Sequence, residues 1–158
     1  MSNPIKISII GAGSGQFSMG IVRDLCLTPG LWNSTISFMD IDEGRLNAIY
    51  EVASRYTHEL KANIRFEKTL ERRKSLDGAN FVINCAMAGG WDRFVMAEVI
   101  SRKHAYPQSV HFDNYYQYQL FMDIIRDMEE LCPDGWYIQS ANPVFEGCTL
   151  ITRQSKIK

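Results

Sequence analysis

The chain has 158 residues, of which 46% are hydrophobic, and this length and composition suit one globular domain with a substantial buried core. Its 17 Lys and Arg residues against 18 Asp and Glu residues give a formal net charge of -1, which excludes a basic field for nucleic acid or an anionic membrane surface. No apolar stretch approaches the roughly 20 residues that span a bilayer, and residues 1–4 lack the features of a signal peptide, so we expect a cytoplasmic protein.

The first half of the chain predicts two strand-helix units. Ile5 to Ile10 has the β-branched content of a buried strand, and Gln16 to Leu27 repeats apolar residues at helical spacing. Thr35 to Met39 is a second predicted strand, and Glu43 to Leu60 is a second predicted helix with one apolar face.

The second half continues this alternation. The predicted strands are Asn63–Glu67, Asn80–Ala86 and Trp136–Ser140. The predicted helices are a short turn at Glu71–Leu76, then Trp91–Lys103, Tyr115–Leu131 and a last helix after Pro143. Strands that alternate with helices predict an α/β fold with a doubly wound, mainly parallel sheet, that is, a Rossmann-like domain covering residues 1–158.

A glycine-rich turn follows the first predicted strand. Gly11, Gly13 and Gln16 occupy the three glycine positions of the dinucleotide fingerprint, so the third glycine, which permits close packing of helix on strand, is missing. The amides around Ser14 to Phe17 begin a helix whose dipole favours an anion. The turn therefore predicts contacts with a dinucleotide pyrophosphate, and a plain strand-to-helix turn is the alternative.

Two carboxylates follow the second predicted strand. Asp40 lies where a carboxylate accepts hydrogen bonds from the adenosine ribose, and an acidic group there disfavours the extra phosphate of NADP. We therefore predict NAD as the cofactor. Asp42 either makes this contact instead or caps the helix that follows.

Three further segments lie at the carboxyl edge of the predicted sheet. The small-residue loop after the fourth strand leaves room for a cofactor, so Ala86 and Met87 are predicted contacts, unless the loop is only a hinge. Asn142 is held extended by Pro143, and its amide either faces the nicotinamide or a sugar hydroxyl or only caps the last helix. Arg93 is a candidate substrate contact or a surface charge.

These motifs together resemble glycoside hydrolase family 4. The resemblance rests on Gly11-x-Gly13-Ser14-x-x-Phe17, Met39-Asp40-Ile41-Asp42 with Arg45-Leu46, Gly78 to Asn84, Gly89-Gly90, Cys132-Pro133 and Ala141 to Glu146. Their order and spacing run through nearly the whole chain. The lactate and malate dehydrogenases share the fold and the strand-ending Asn-Pro-Val.

The resemblance implies a glycosidase with a carbohydrate substrate and a recycled NAD. In such enzymes the sugar 3-hydroxyl is oxidised, the 2-proton is removed, the aglycone is eliminated, water adds and the ketone is reduced again. A divalent metal, typically manganese, polarises the developing carbonyl. The family's metal ligands and general base would follow Lys158, so we assign no catalytic residue and no metal ligand here. We expect this chain alone to bind without turnover and the intact enzyme to be a homo-oligomer.

Two other interpretations stay open from the sequence. The chain could be the cofactor domain of an NAD-dependent hydroxyacid dehydrogenase, or a nucleotide-binding remnant without catalysis. The loop from Ala105 to Asp113 lacks the Gln-Glu-Thr pattern of many family members, which leaves the substrate class open. We also expect exposed apolar patches where a catalytic half would pack.

Overall fold

The computed structural model describes residues 4–105 and 115–158. The predicted loop from Ala105 to Asp113 lies, apart from its first residue, outside the described part of the chain. The strands are β1 (Lys6–Ile10), β2 (Thr35–Met39), β3 (Arg65–Thr69), β4 (Phe81–Asn84) and β5 (Trp136–Gln139). The helices are α1 (Gly15–Cys26), a 3₁₀ turn (Pro29–Leu31), α2 (Glu43–Glu59), α3 (Arg72–Leu76), α4 (Gly90–Lys103), α5 (Tyr115–Leu131) and α6 (Val144–Gln154).

The five strands form one sheet in the order β3-β2-β1-β4-β5, and every pair of neighbours is parallel. The predicted doubly wound, parallel α/β fold is therefore confirmed. From β1 the sheet extends to one side through β2 and β3 and to the other side through β4 and β5, so the strand order reverses between β1 and β4. Loops that leave these two strands diverge to opposite faces of the sheet, which opens a crevice at their carboxyl ends.

Helices cover both faces of the sheet because alternate strand residues point to opposite sides. Ile9 and Phe38 lie in a buried cluster that also contains residues of α1 and α2. Ile10 and Val82 lie in a second buried cluster with residues of α3, α5 and α6. The central strands are therefore buried on both sides, which explains their continuous apolar sequences.

Four of the five strands differ from the prediction by one or two residues at a boundary, and two of these differences have a local reason. β3 begins at Arg65, whose N–H donates to the Ser34 carbonyl at 3.0 Å, whereas we predicted a start at Asn63. β4 ends at Asn84 rather than Ala86. The Asn84 Oδ1 accepts the Ala86 N–H at 3.1 Å, so the side chain takes the place of a strand partner and turns the chain into the loop.

Helix α4 differs from the other long helices in its exposure. Most of its large apolar side chains face solvent, with Trp91, Met96 and Val99 each at least 60% exposed, and its only buried residue is Ser101. The expected exposed apolar patch is therefore present. Within residues 4–105 and 115–158, no helix is long and apolar enough to cross a membrane.

Candidate functional site

A cleft with a cavity volume of about 1110 Å³ opens at the carboxyl edge of the sheet. Its walls come from the turn after β1, the end of β2, the loop after β4, the start of α4 and the residues after β5. The lining includes ten of the eleven predicted site residues, namely Gly11, Gly13, Ser14, Phe17, Asp40, Asp42, Ala86, Met87, Arg93 and Asn142. The eleventh, Gln16, is exposed on α1 and is not part of the lining.

The glycine turn is held between β2 and the loop after β4. The N–H groups of Gly11 and Ala12 both donate to the Met39 carbonyl at 2.9 Å. Gly11 has a φ of +84°, and a Cβ there would lie 2.5 Å from the Ala86 Cα. Only glycine fits this position, because the backbone is left-handed and a second backbone lies against it.

The first turn of α1 has unpaired donors and enters the cleft lining through Ser14 and Phe17. Ser14 is the N-cap residue, and its side chain makes no capping hydrogen bond. Within the described residues, the N–H groups of Gly15, Gln16 and Phe17 have no acceptor, as expected at a helix start without a side-chain cap. This helix end combines free donors with the positive end of the helix dipole, which is the arrangement that binds an anion.

The missing third glycine has a simple structural explanation. Gln16 is exposed, so its long side chain does not separate the helix from the sheet. Ser18, two residues later, is fully buried, and its hydroxyl donates to the Ala12 carbonyl at 2.7 Å. A small side chain at position 18 therefore permits the close contact that a glycine at position 16 permits in the standard fingerprint.

Asp40 lines the cleft beside this helix start and also holds the turn. Its Oδ2 accepts the Gly13 N–H at 2.7 Å, and its Oδ1 accepts the Asp42 N–H at 2.9 Å. A Cβ at Gly13 would lie 2.7 Å from that Oδ2, so the second glycine makes room for the carboxylate. A carboxylate offers about four acceptor positions, which leaves Asp40 able to accept from ligand hydroxyls.

Asp42 performs the capping role that was one of its two predicted alternatives. It is the N-cap residue of α2 and accepts the Arg45 N–H at 3.0 Å. Its other oxygen lies 3.3 Å from the Arg45 Nε. The Arg45 guanidinium is therefore partly neutralised, although both side chains line the cleft.

The opposite end of the cleft contains Arg93 and Asn142. The Arg93 guanidinium lies over the Tyr116 ring, 3.6 Å from its centroid, a cation-π contact that sequence analysis missed. Asn142 is exposed at the cleft and is joined to Pro143 by a cis peptide bond. The N-cap residue of α6 is Pro143, so Asn142 does not occupy that capping position.

Two further properties bear on the chemistry of the cleft. Cys85 lines it, and burial raises the pKa of this thiol above its ordinary value of 9.0, so the group is neutral at neutral pH and a poor nucleophile. Within residues 4–105 and 115–158, no group of three or more His, Cys, Asp or Glu side chains is placed to hold a metal ion.

Gln117 is the cleft residue of greatest consequence that sequence analysis missed. It lies in the first turn of α5 and is buried. Its position four residues before Phe121 and seven before Ile124 places it on the buried face of the predicted helix. A glutamine on that apolar face could have indicated a structural role from the sequence, because a buried amide requires hydrogen-bond partners.

Comparison with known proteins agrees with this geometry. Residues 6–158 match the family model described as family 4 glycosyl hydrolase. The alpha-glucosidase of Erwinia rhapontici is 30% identical over 161 residues, which cover 94% of this chain and 35% of that protein. The chain thus spans little more than a third of the length of the curated relatives it matches.

Two solved structures show the shared fold. A 6-phospho-alpha-glucosidase from gut microorganisms, in complex with NAD and Mn2+, superposes with a TM-score of 0.81 at 18% identity, covering 96% of this chain and 36% of that one. A lactate dehydrogenase from Cryptosporidium parvum, complexed with lactic acid and nicotinamide adenine dinucleotide, gives 0.70 at 16% identity, covering 100% and 44%. The family match favours the glycosidase interpretation over the dehydrogenase one. Because that match extends over nearly the whole chain, the chain belongs to the family 4 glycosyl hydrolases.

Proposed function

We propose that residues 1–158 form the NAD-binding domain of a glycosidase that cleaves glycosidic bonds by oxidation, elimination and re-reduction of the sugar. The observation that carries the proposal is the uncapped start of α1 beside Asp40, on the wall of a cleft at the reversal between β1 and β4. Membership of family 4 supports it, as does the NAD in the structurally similar 6-phospho-alpha-glucosidase.

The pyrophosphate of NAD fits the first turn of α1. The Gly13 amide is engaged by Asp40, so the donors offered to phosphate oxygens are the amides of residues 15–17 and the Ser14 hydroxyl. Gln16 contributes its main chain alone, because its side chain lies outside the lining. Phe17, which is 48% exposed at the cleft, covers the nucleotide from the helix side.

Asp40 makes the site selective for NAD. Its carboxylate accepts hydrogen bonds from the two ribose hydroxyls and repels a phosphate at the 2′ position. Arg45 also lines the cleft, and its guanidinium is paired with Asp42. A 2′-phosphate would therefore meet an uncompensated negative charge, and NADP binds more weakly than NAD.

The other end of the cleft serves the nicotinamide and the sugar. Ala86 and Met87 line the side formed by the loop after β4, and Asn142 and Arg93 are the proposed substrate contacts. When NAD is bound, its nicotinamide supplies the reversible hydride acceptor for oxidation of a sugar hydroxyl. The residues of this chain bind and orient the reactants, and the neutral Cys85 thiol adds no charge near them.

The described residues contain no ligand cluster for manganese, so we assign no metal-dependent step to them. The substrate is a small carbohydrate, in agreement with the names of the curated relatives. We propose that this chain alone binds NAD without hydrolysing glycosides, because it spans about a third of those relatives.

Calorimetric titration with NAD and NADP tests this function. We expect saturable NAD binding, NADP binding weakened about 10-fold or more, and an NAD affinity about 10-fold lower in Asp40→Asn, which loses the charge-assisted bonds to ribose. Asp134→Asn is the matched control, because Asp134 is exposed and outside the cleft. Folded protein that binds neither nucleotide, or binds both equally, would contradict the proposal.

A further inference from the structure

Gln117 joins α5 to the loop after β4 through two hydrogen bonds in opposite directions. Its Nε2 donates to the Ala86 carbonyl at 2.8 Å, and its Oε1 accepts the Ala88 N–H at 2.8 Å. The side chain thus pairs with the backbone on both sides of Met87, as the backbone of a neighbouring strand would. Gln117 is only 7% exposed, so water cannot readily take over these bonds.

Ala86 is the point at which this loop meets the glycine turn. Its N–H donates to the Asn84 Oδ1 at 3.1 Å, and its carbonyl accepts from Gln117. Its Cα lies where a Gly11 side chain would be, 2.5 Å from a Cβ built there. Ala86 is therefore held by its N–H, by its carbonyl and by its contact with Gly11. Removal of Gln117 leaves the carbonyl without its donor.

The loop would lose its alignment with the turn if Gln117 were absent. A buried amide and carbonyl left without partners favour any rearrangement that restores hydrogen bonds. For residues 86–88 that rearrangement leads toward solvent, that is, into the cleft that they line. Ala86 is in contact with Gly11, and the nucleotide is proposed to lie beyond that contact, in the cleft lined by Met87 and Ala88 and by the first turn of α1.

We propose that Gln117 is a positioning residue for NAD, which holds residues 86–88 at the distance from the glycine turn that the dinucleotide requires. This inference rests on the proposed cofactor function. Gln117 acts through the main chain of the loop and makes no chemical step. Through its two bonds, α5 helps to set the width of the cleft, together with β1 and β4.

Three variants test this role by calorimetric titration with NAD, with urea denaturation of the free proteins as a check on folding. Gln117→Leu removes both bonds, and we expect an affinity for NAD about 10-fold lower. Gln117→Glu keeps the acceptor for the Ala88 N–H but loses the donor to Ala86. Gln119→Leu is the control, because Gln119 is exposed on the same helix and its amide donates to Asp123 rather than to the loop.

The pH dependence of Gln117→Glu separates positioning from simple destabilisation. A protonated glutamic acid can donate to the Ala86 carbonyl again, and burial favours that neutral form. We expect the ratio of its NAD affinity to the wild-type affinity to rise several-fold from about pH 8 to about pH 6, while the ratio for Gln117→Leu stays constant.

The outcomes are distinct. Wild-type protein that binds no NAD would remove the proposed function and this inference together. Wild-type protein that binds NAD while folded Gln117→Leu binds it equally would overturn the inference alone. If Gln117→Leu proves unstable, an NAD affinity of Gln117→Glu that equals wild type at every pH, or stays reduced without recovery at acid pH, would overturn it as well.

Discussion

Replacement of Gly13 by alanine tests the reciprocal arrangement of the glycine turn and Asp40. A Cβ at position 13 would lie 2.7 Å from the Asp40 Oδ2 and 2.9 Å from its Cγ, several tenths of an ångström inside van der Waals contact. The carboxylate must move away, which breaks its 2.7 Å bond from the Gly13 N–H. The loss of this charge-assisted bond predicts a stability lower by about 2 kcal/mol.

Urea denaturation followed by circular dichroism measures this loss, and Gly20→Ala supplies the control. Gly20 lies within α1, and a Cβ there meets nothing within 4 Å, so alanine should raise stability by about 0.5–1 kcal/mol. Opposite signs at positions 13 and 20 would show that the cost at Gly13 is steric and local, since both changes add the same methyl group.

A double-mutant cycle identifies the neighbour responsible. In an Asp40→Ala background the carboxylate is gone, and Gly13→Ala should cost only about 0.5 kcal/mol, from the remaining contact with the Arg45 Cβ at 3.0 Å. The effects of the two single substitutions on the free energy of unfolding should therefore depart from additivity by about 1 kcal/mol or more. An equal loss of stability from Gly13→Ala in both backgrounds would show that the Asp40 carboxylate is not the neighbour responsible.

Two further outcomes concern the alkaline stability and the exposed helix. Burial raises the pKa of the Tyr137 phenol above its ordinary value of 10.0, so its contribution to stability is full below that pH and declines above it, because the unfolded phenol ionises first. Urea denaturation should show a flatter decline above about pH 10 in Tyr137→Phe than in wild type, and equal slopes would contradict this assignment. Because α4 exposes Met96 and Val99, we expect self-association that light scattering detects and that Met96→Glu with Val99→Lys reduces. A monodisperse wild-type monomer at high concentration would contradict that expectation.

The sequence was sufficient for the parts of the fold that depend on local pattern. Apolar periodicity and turn residues placed the five strands and the helices α1 to α6, because the period of apolar residues reports which side of each element is buried. The 3₁₀ turn Pro29–Leu31 was not predicted. β2 was predicted at the residues it occupies, Thr35–Met39, since its apolar run is flanked by polar turns. The strands also place their ends at one edge of the sheet, so Gly11, Asp40 and Asn142 were predicted to meet and do line one cleft.

The periodicity of apolar residues did not predict contacts between residues that are far apart in the sequence. The bond from the Gly13 N–H to Asp40 joins residues 27 apart, and the bond from Gln117 to Ala86 joins residues 31 apart. Periodicity shows that Gln117 shares the face of Phe121 but not which backbone groups that face meets. The role of Ser18 was missed for a different reason, since the fingerprint fixes a glycine position, whereas packing requires only that some small residue lies where helix and strand approach.

Asp40 performs two tasks, and this limits how far the nucleotide preference can be changed without loss of stability. Its carboxylate faces the cleft, and the same two oxygens accept the N–H groups of Gly13 and Asp42. Asp40→Ala would reduce the repulsion of a 2′-phosphate but would also leave both amides without their acceptor. The turn would then keep the bonds from Gly11 and Ala12 to the Met39 carbonyl and the bond from the Ser18 hydroxyl to the Ala12 carbonyl, but none to a side chain at position 40. Asparagine has one acceptor oxygen and one NH2 donor, so Asp40→Asn keeps at most one of the two bonds, whereas Asp40→Ala keeps neither. Either substitution that admits NADP therefore also weakens the turn.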